Sequence, residues 1–234
     1  MTKPPKIPSR ITRGEIATPA GYLYELSGGE LCLDFANTLD SRPTDEPREL
    51  LADYDDLVRW GVQTQALTPG VANGLLARAA GHRRQAATVL RQARALREAV
   101  FALFSAAARS EAPPSSALPV LNQHLSRVFT HLRLAGGAPD YRWVWDDENA
   151  LERMLWPVAR SAGELLASDR LDRVRVCSAE DCDWLFLDQS KNRSRRWCDM
   201  TVCGNRSKVR RFRLARRQSG ESKSRESHTK TRDN

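Results

Sequence analysis

Four of the chain's cysteines fall in two pairs, Cys177/Cys182 and Cys198/Cys203, each spaced C-x4-C with fifteen residues between the pairs. Thiolates are soft ligands, and four of them from two short turns suit tetrahedral Zn2+ at a Zn–S distance of about 2.3 Å. Such a set fills the coordination sphere and leaves no open position for water. One structural ion is therefore expected, rather than a hydrolytic centre. A redox-active dithiol is the alternative use of paired cysteines. The remaining thiol, Cys32, lies in an apolar segment and reads as a small buried side chain.

The second pair sits in the most basic stretch of the chain. Residues 191–234 hold 15 Lys and Arg against 4 Asp and Glu, a net of +11, whereas the preceding 190 residues hold 22 against 25, a net of −3. An acidic body with a basic tail points to a polyanion, most commonly nucleic acid. A solvated tail or an interface with an acidic protein is the other reading. On a helical wheel that starts at Val202, Arg206, Arg210, Arg213 and Arg217 share one stripe. Beside that stripe runs an apolar face of Val202, Val209 and Phe212, expected to be buried. Arginines repeated on one face repel one another, and a phosphate backbone or a guanine edge removes that cost. Arg193, Arg195 and Arg196, in the loop before Cys198, are placed to clamp flanking phosphates. Zinc then fixes the orientation of the arginine helix.

These side chains need elements to hold them. VRVCSAEDCDWLFLDQS (174–190) reads as strand, tight turn, strand; KNRSRR is a basic loop; the second cysteine pair opens a helix that fades by Arg217. A hairpin knuckle followed by a helix N-terminus is how treble-clef fingers are built, and the free N–H groups of that terminus stabilise anionic sulfur. Few large apolar side chains lie between 174 and 213, so the unit depends on its metal to fold. Trp184 and Trp197 read as core, with stacking on unpaired bases as the other use.

Upstream, a strand near Tyr22–Leu26 and a Gly-Gly turn lead to a helix over 30–39, and a second helix is predicted over 54–67. Thr68-Pro69 opens a third. Gly81 divides it from a long helix to Arg109, whose Val89, Ala93, Leu96, Val100, Leu103, Phe104 and Ala107 recur at helical spacing. EAPPSS (111–116) is a loop and 118–128 a shorter helix. A β-hairpin over 130–147 turns at GGAPD, and a final amphipathic helix over Leu151–Leu166 is expected to kink at Pro157. The fold class is mainly α: a helical domain with a small β-hairpin over 20–170, plus a C-terminal treble-clef-like zinc finger, β-hairpin then helix, over 171–217. Residues 1–19 read as a flexible arm and 218–234 as a disordered tail.

CGNR (203–206), preceded by SRRWC (194–198) and WLFLD (184–188), resembles the CGNR zinc-finger family. LCLDFANTL (31–39) resembles the start of ABATE, the helical domain that usually precedes this finger. The resemblance runs from about Gly21 to Arg217 and implies a bacterial stress-induced transcription regulator with a zinc-stabilised, DNA-binding C-terminus. It also implies that Cys177, Cys182, Cys198 and Cys203 are the ligands, with Gly204, Asn205 and Arg206 completing the naming motif. Asn205 is expected to cap the knuckle or hydrogen-bond a sulfur. In the upstream motif, Asp34, Asn37 and Thr38 stand at i, i+3 and i+4 and share one helix face. They either line a sensor pocket for a small molecule or tie the helix to its neighbours through buried hydrogen bonds.

The expected function is a zinc-dependent DNA-binding transcriptional regulator, with the helical domain as sensor or dimerisation module and duplex DNA as partner. An RNA- or ribosome-associated zinc protein and a protein-interaction adaptor are the alternatives, and a homodimer is compatible with each. His82, His124, His131 and His228 are scattered, and neither a Ser/His/Asp set nor a phosphate-binding glycine loop is present, so no enzyme is expected. MTKPPKIPSR lacks the apolar core of a signal peptide, and no run of about 18 apolar residues occurs. A cytoplasmic, nucleoid-associated protein without membrane contact is the corresponding expectation.

Overall fold

Two short antiparallel strands, β1 (Glu15–Thr18) and β2 (Gly21–Tyr24), open the computed structural model, which describes residues 15–18, 21–146, 149–213 and 215–216. Residues 15–18 were expected within the flexible arm; pairing with β2 makes them a strand. The rest of that arm and the tail over 218–234 lie outside the described residues. After Tyr24 come α1 (Leu31–Ala36), a two-residue strand pair β3 (Leu39–Asp40) and β4 (Arg48–Glu49), and α2 (Tyr54–Gln63). The start of α2 is set by a reciprocal cap: Asp53 Oδ1 accepts from Asp56 N (2.8 Å) while Asp56 Oδ2 accepts from Asp53 N (3.3 Å). The helix stops at Gln63 rather than running to 67, because Gln65 adopts φ +62°, which an α-helix does not accommodate.

Next, α3 (Pro69–Gly81) begins at the Thr68 cap, with proline at its first position where a missing N–H costs nothing. The long α4 (Arg83–Arg109) buries Val89, Ala93, Leu96, Val100, Leu103 and Phe104, the stripe that periodicity predicts. It is followed by α5 (Ala117–His131), the hairpin β5 (Leu132–Ala135)/β6 (Arg142–Trp145), and α6 (Leu155–Leu166). The expected kink in α6 is absent. The helix begins only at Leu155, so Pro157 stands in the first turn, where backbone N–H groups have no intrahelical acceptor to lose. Residues 151–154 form turns instead, yet Leu151 and Met154 are still buried.

A single 3-10 turn (Asp169–Arg173) leads to β7 (Val174–Val176) and β8 (Leu185–Leu187), antiparallel with Val174 opposite Leu187 and Val176 opposite Leu185. One wide turn of π-helix (Met200–Gly204) then feeds α7, residues 205–213. The main core is helical: α4 packs on α5, α5 on α6, and α1 lies against both α4 and α6, with Phe35 edge-on to Trp60 at 5.0 Å. Among the described residues no helix is long and apolar enough to cross a membrane.

The period-2 alternation of β8 divides it between two cores. Leu185 and Leu187 join Val174 in the helical core, whereas Trp184 and Phe186 face a second, smaller cluster built around the cysteines. The hairpin is thus a shared wall, and the metal region is not a free appendage.

Candidate metal centre and basic helix

The first knuckle is the turn between β7 and β8. Cys177 N–H continues the ladder to the Trp184 carbonyl (2.8 Å), Cys182 N–H donates to the Ala179 carbonyl (3.1 Å), and Asp183 closes the turn at φ +58°. The second knuckle is seated by Asp199, whose Oδ1 accepts from Val202 N (2.8 Å) and Thr201 Oγ1 (2.6 Å). The Thr201 bond, the largest influence, and the backbone bonds hold its carboxyl below the usual range despite partial burial. These two turns bring Cys177, Cys182, Cys198 and Cys203 together, all buried, with every Sγ within 4.8 Å of the others. The Cys182–Cys198 and Cys198–Cys203 separations are 3.7 and 3.6 Å. Tetrahedral sulfur at the usual Zn–S distance gives an edge of about 3.8 Å. The donor set therefore fits zinc in number, chemistry and spacing, and it forms the site of one structural zinc ion. Bound there, the metal keeps the sulfurs as thiolates and locks one knuckle to the other. Without it the thiols would compete for protons: hydrogen bonds from its three neighbours push Cys177 strongly down, while burial pushes Cys182 strongly up.

Around the sulfurs the cluster is closed by Ala179, Trp184, Phe186 and the half-buried Trp197, so both tryptophans are core. Trp184 N–H also donates to Cys182 Sγ (3.2 Å). Fully buried Asp188 organises the loop before the second knuckle, accepting from Ser190 N (2.9 Å) and Arg195 N (3.0 Å). Burial opposes its ionisation, but the bonds from Ser190 and Arg195, with Arg175 nearby, hold its carboxyl below the usual range. Asn205 donates from Nδ2 to the Thr201 carbonyl (2.9 Å), so it braces its own turn rather than a sulfur.

The seven arginines predicted to meet nucleic acid do not share one environment. Arg195 is used internally: Nε donates to the Trp197 carbonyl (2.9 Å), Nη2 donates to the Cys198 carbonyl, and the guanidinium lies 4.6 Å over Phe186. Arg193 pairs with Asp172, and Arg196 stands over Trp197 at 5.4 Å. Arg206 and Arg210 extend from α7 toward the first knuckle and pair with its acids, Arg206 with Asp181 (3.0 Å) and Arg210 with Glu180 (2.8 Å). Arg206 also donates from Nη2 to Cys203 Sγ (3.7 Å). Arg213 is exposed, and Arg217 lies outside the described residues. The stripe is therefore partly neutralised by the finger's own carboxylates. No role for Glu180, Asp181 or Asp188 was expected; the available signal was an acidic pair inside a knuckle of a basic finger.

The apolar face expected on this helix is not buried. Val209 and Phe212 are 48% and 63% exposed, and Val202 is only half-buried. The small core is already closed around the sulfurs, and the later turns of α7 run past it.

Comparison with known families agrees with this geometry. The CGNR zinc finger matches residues 173–217. ABATE, described as "Putative stress-induced transcription regulator", matches residues 29–169, more than half of the chain. The chain belongs to the ABATE family. No curated protein matches it in sequence.

Within the ABATE region, Asp34, Asn37 and Thr38 are occupied by structural hydrogen bonds. Asn37 Nδ2 donates to the Leu185 carbonyl and its Oδ1 accepts from Leu185 N, each at 2.9 Å. The amide thereby fills the open edge of β8. Leu187 N, on the same edge, donates to the Gly28 carbonyl (2.8 Å), and Gly28 N donates to Asp34 Oδ1 (2.7 Å). Thr38 Oγ1 donates to the Phe35 carbonyl (2.7 Å). Gly28 has no room for a side chain: a Cβ there would lie 2.8 Å from Asp34 N and 3.0 Å from the Leu33 carbonyl carbon. Gly29, at φ +77°, completes the turn beside Leu187. The ABATE motif and the finger are thus joined strand edge to helix end, and Arg109 adds an ion pair to Asp183 at 3.8 Å.

Proposed function

We propose that this ABATE protein is a zinc-dependent DNA-binding transcriptional regulator, acting in the cytoplasm at the nucleoid. The finger reads duplex DNA, and the helical region serves as its sensor or dimerisation module. One observation carries the reading: α7 is rooted at its N-terminal end in the zinc site and, apart from its ion pairs to the first knuckle, presents its side chains to solvent, with Arg206, Arg210, Arg211 and Arg213 all exposed. A helix held so can enter a major groove with its guanidinium forks toward phosphates and base edges. In this reading the metal is structural and no catalytic residue is assigned. The seam of Asn37 and Gly28 against β8 supports a helical region that passes a signal to the reader.

The test is a salt titration of zinc-loaded protein against duplex DNA, followed by selection from a random duplex library. With ~4–6 phosphate contacts, log K should fall with a slope of about −4 to −5 against log[salt]. Arg210→Ala should shallow that slope by about 1, with zinc content and helicity unchanged. An enriched sequence identifies the operator. Tighter binding to structured RNA than to any duplex would move the finger to an RNA-associated role. A second reading, an adaptor for an acidic protein, is favoured by Val209 and Phe212, apolar and exposed among the arginines. A stoichiometric protein partner that survives nuclease treatment and is lost on Phe212→Ser would support it.

A further inference from the structure

We propose that the cleft between the first knuckle and α7 is a seat for a backbone phosphate, and that the free protein fills it with two carboxylates of its own. On this view Glu180 and Asp181 set the threshold at which the finger accepts nucleic acid. The inference rests on the reading of the finger as a nucleic-acid binder.

The cleft has a volume of about 220 Å³ and is walled by the 178–181 turn on one side and by α7 on the other. Arg196, Arg206, Arg210 and Arg211 all border it, as do Ser178 and Ser207. Four arginines from two elements border the cleft, and the guanidinium groups of Arg206 and Arg210 already hold carboxylates there; the planar fork matches carboxylate and phosphate oxygens alike. Glu180 and Asp181 take two of those forks. Both pairs are solvent-exposed and open at little cost.

Arg206 keeps its aim when its carboxylate leaves. Its Nη2 donates to Cys203 Sγ while its Nη1 faces Asp181, so the metal site presents the second nitrogen to whichever anion is there. A single small anion gains nothing over a carboxylate that is already covalently in place. A polymer that also engages Arg211, Arg213 and the loop arginines brings several phosphates at once and displaces both acids. Glu180 and Asp181 then act as competitors that suppress weak, charge-only binding.

The double variant Glu180→Gln/Asp181→Asn, zinc-loaded and full length, tests this by fluorescence anisotropy with a short duplex of random sequence. The expected result is roughly tenfold tighter binding. Because nucleic acid displaces both acids in wild type as well, the same arginines meet phosphate in either complex, and the salt slope should stay close to that of wild type. The control is Asp45→Asn/Glu46→Gln, which removes the same charge from exposed positions outside the finger. Equal tightening in the control reduces the effect to bulk charge and overturns the proposal. Unchanged or weaker binding by the knuckle variant, with wild type binding normally, overturns it while leaving the nucleic-acid reading intact. If wild type and variants alike ignore both duplex DNA and RNA, that reading fails and the phosphate seat fails with it. Zinc content is measured in every variant. Should the double substitution release metal, Glu180→Gln alone, one residue further along the chain from Cys182, carries the same comparison with a gain of roughly threefold.

Discussion

Asn37 holds both the N–H and the carbonyl of Leu185, so one side-chain amide stands in for the neighbouring strand that β8 lacks. An open strand edge next to an apolar core leaves backbone groups without water or partner, the situation folded proteins avoid. Asn37 is itself only 2% exposed, and truncation leaves two backbone groups unpaired. Asn37→Ala should therefore cost about 2–4 kcal/mol in urea unfolding of the zinc-loaded protein. Asn37→Asp tests the donor separately: it retains an acceptor for Leu185 N but sets a carboxylate against the Leu185 carbonyl, and should destabilise at least as much at neutral pH. A small loss in both would show that the amide merely decorates the seam. The motif containing Asn37 was legible in the sequence, but the helix expected over 30–39 ends at Ala36, so Asn37 and Thr38 stand in the turn after α1 rather than on one helix face with Asp34. What the amide bonds to was not legible, because its partner lies 148 residues away.

At the level of elements, the two knuckles depend on zinc and the helices do not. The metal region has only a handful of apolar side chains of its own, too few to hold two turns and a helix start together. The helical region has a large core of its own, running from Tyr24 to Leu165 and joined by Val174, Leu185 and Leu187 of the hairpin. A strong chelator should release one zinc per chain and change the environment of Trp184. It should also abolish nucleic-acid binding while most of the far-UV helical signal survives. Complete loss of helicity would mean that β7 and β8 stabilise the helical core more than their shared wall suggests. The strand–turn–strand pattern and the ligand order were readable from alternation and spacing. The exposure of Val209 and Phe212 was not, since a wheel shows which side chains share a face but not whether another element covers it.

Across the whole molecule, two titrating groups far apart in sequence pull stability in opposite directions. Burial pushes the Asp34 carboxyl up to about 6, so the folded state keeps a proton that the unfolded chain has released. Its contribution is greatest at acid pH and is lost as pH rises through about 6. Burial, helped by the Arg127 charge, pushes His124 down to about 4, so the unfolded chain protonates first. Its contribution is complete above about 6.5 and is lost as pH falls toward 4. Each is worth about 1–2 kcal/mol between pH 5 and 7, and in wild type they largely cancel. Asp34→Asn should leave a stability that rises with pH across this window, and His124→Gln one that falls. Urea unfolding with saturating zinc, compared between variants at pH 5, 6 and 7, checks both signs. Parallel curves for the two variants would contradict the assignment.

By itself the sequence determined the properties that depend on near neighbours along the chain. Paired C-x4-C spacings specify the ligand set, a run of arginines specifies where the charge is, and 3.6-residue periodicity specifies the buried stripe of α4. Tertiary structure alone decided how distant faces meet. It divided β8 between two cores, set Asn37 on its open edge, placed Glu180 and Asp181 against Arg210 and Arg206, and left α7 uncovered. The physical reason is range: spacing and periodicity are fixed by the covalent chain, whereas burial and pairing depend on which element folding brings alongside.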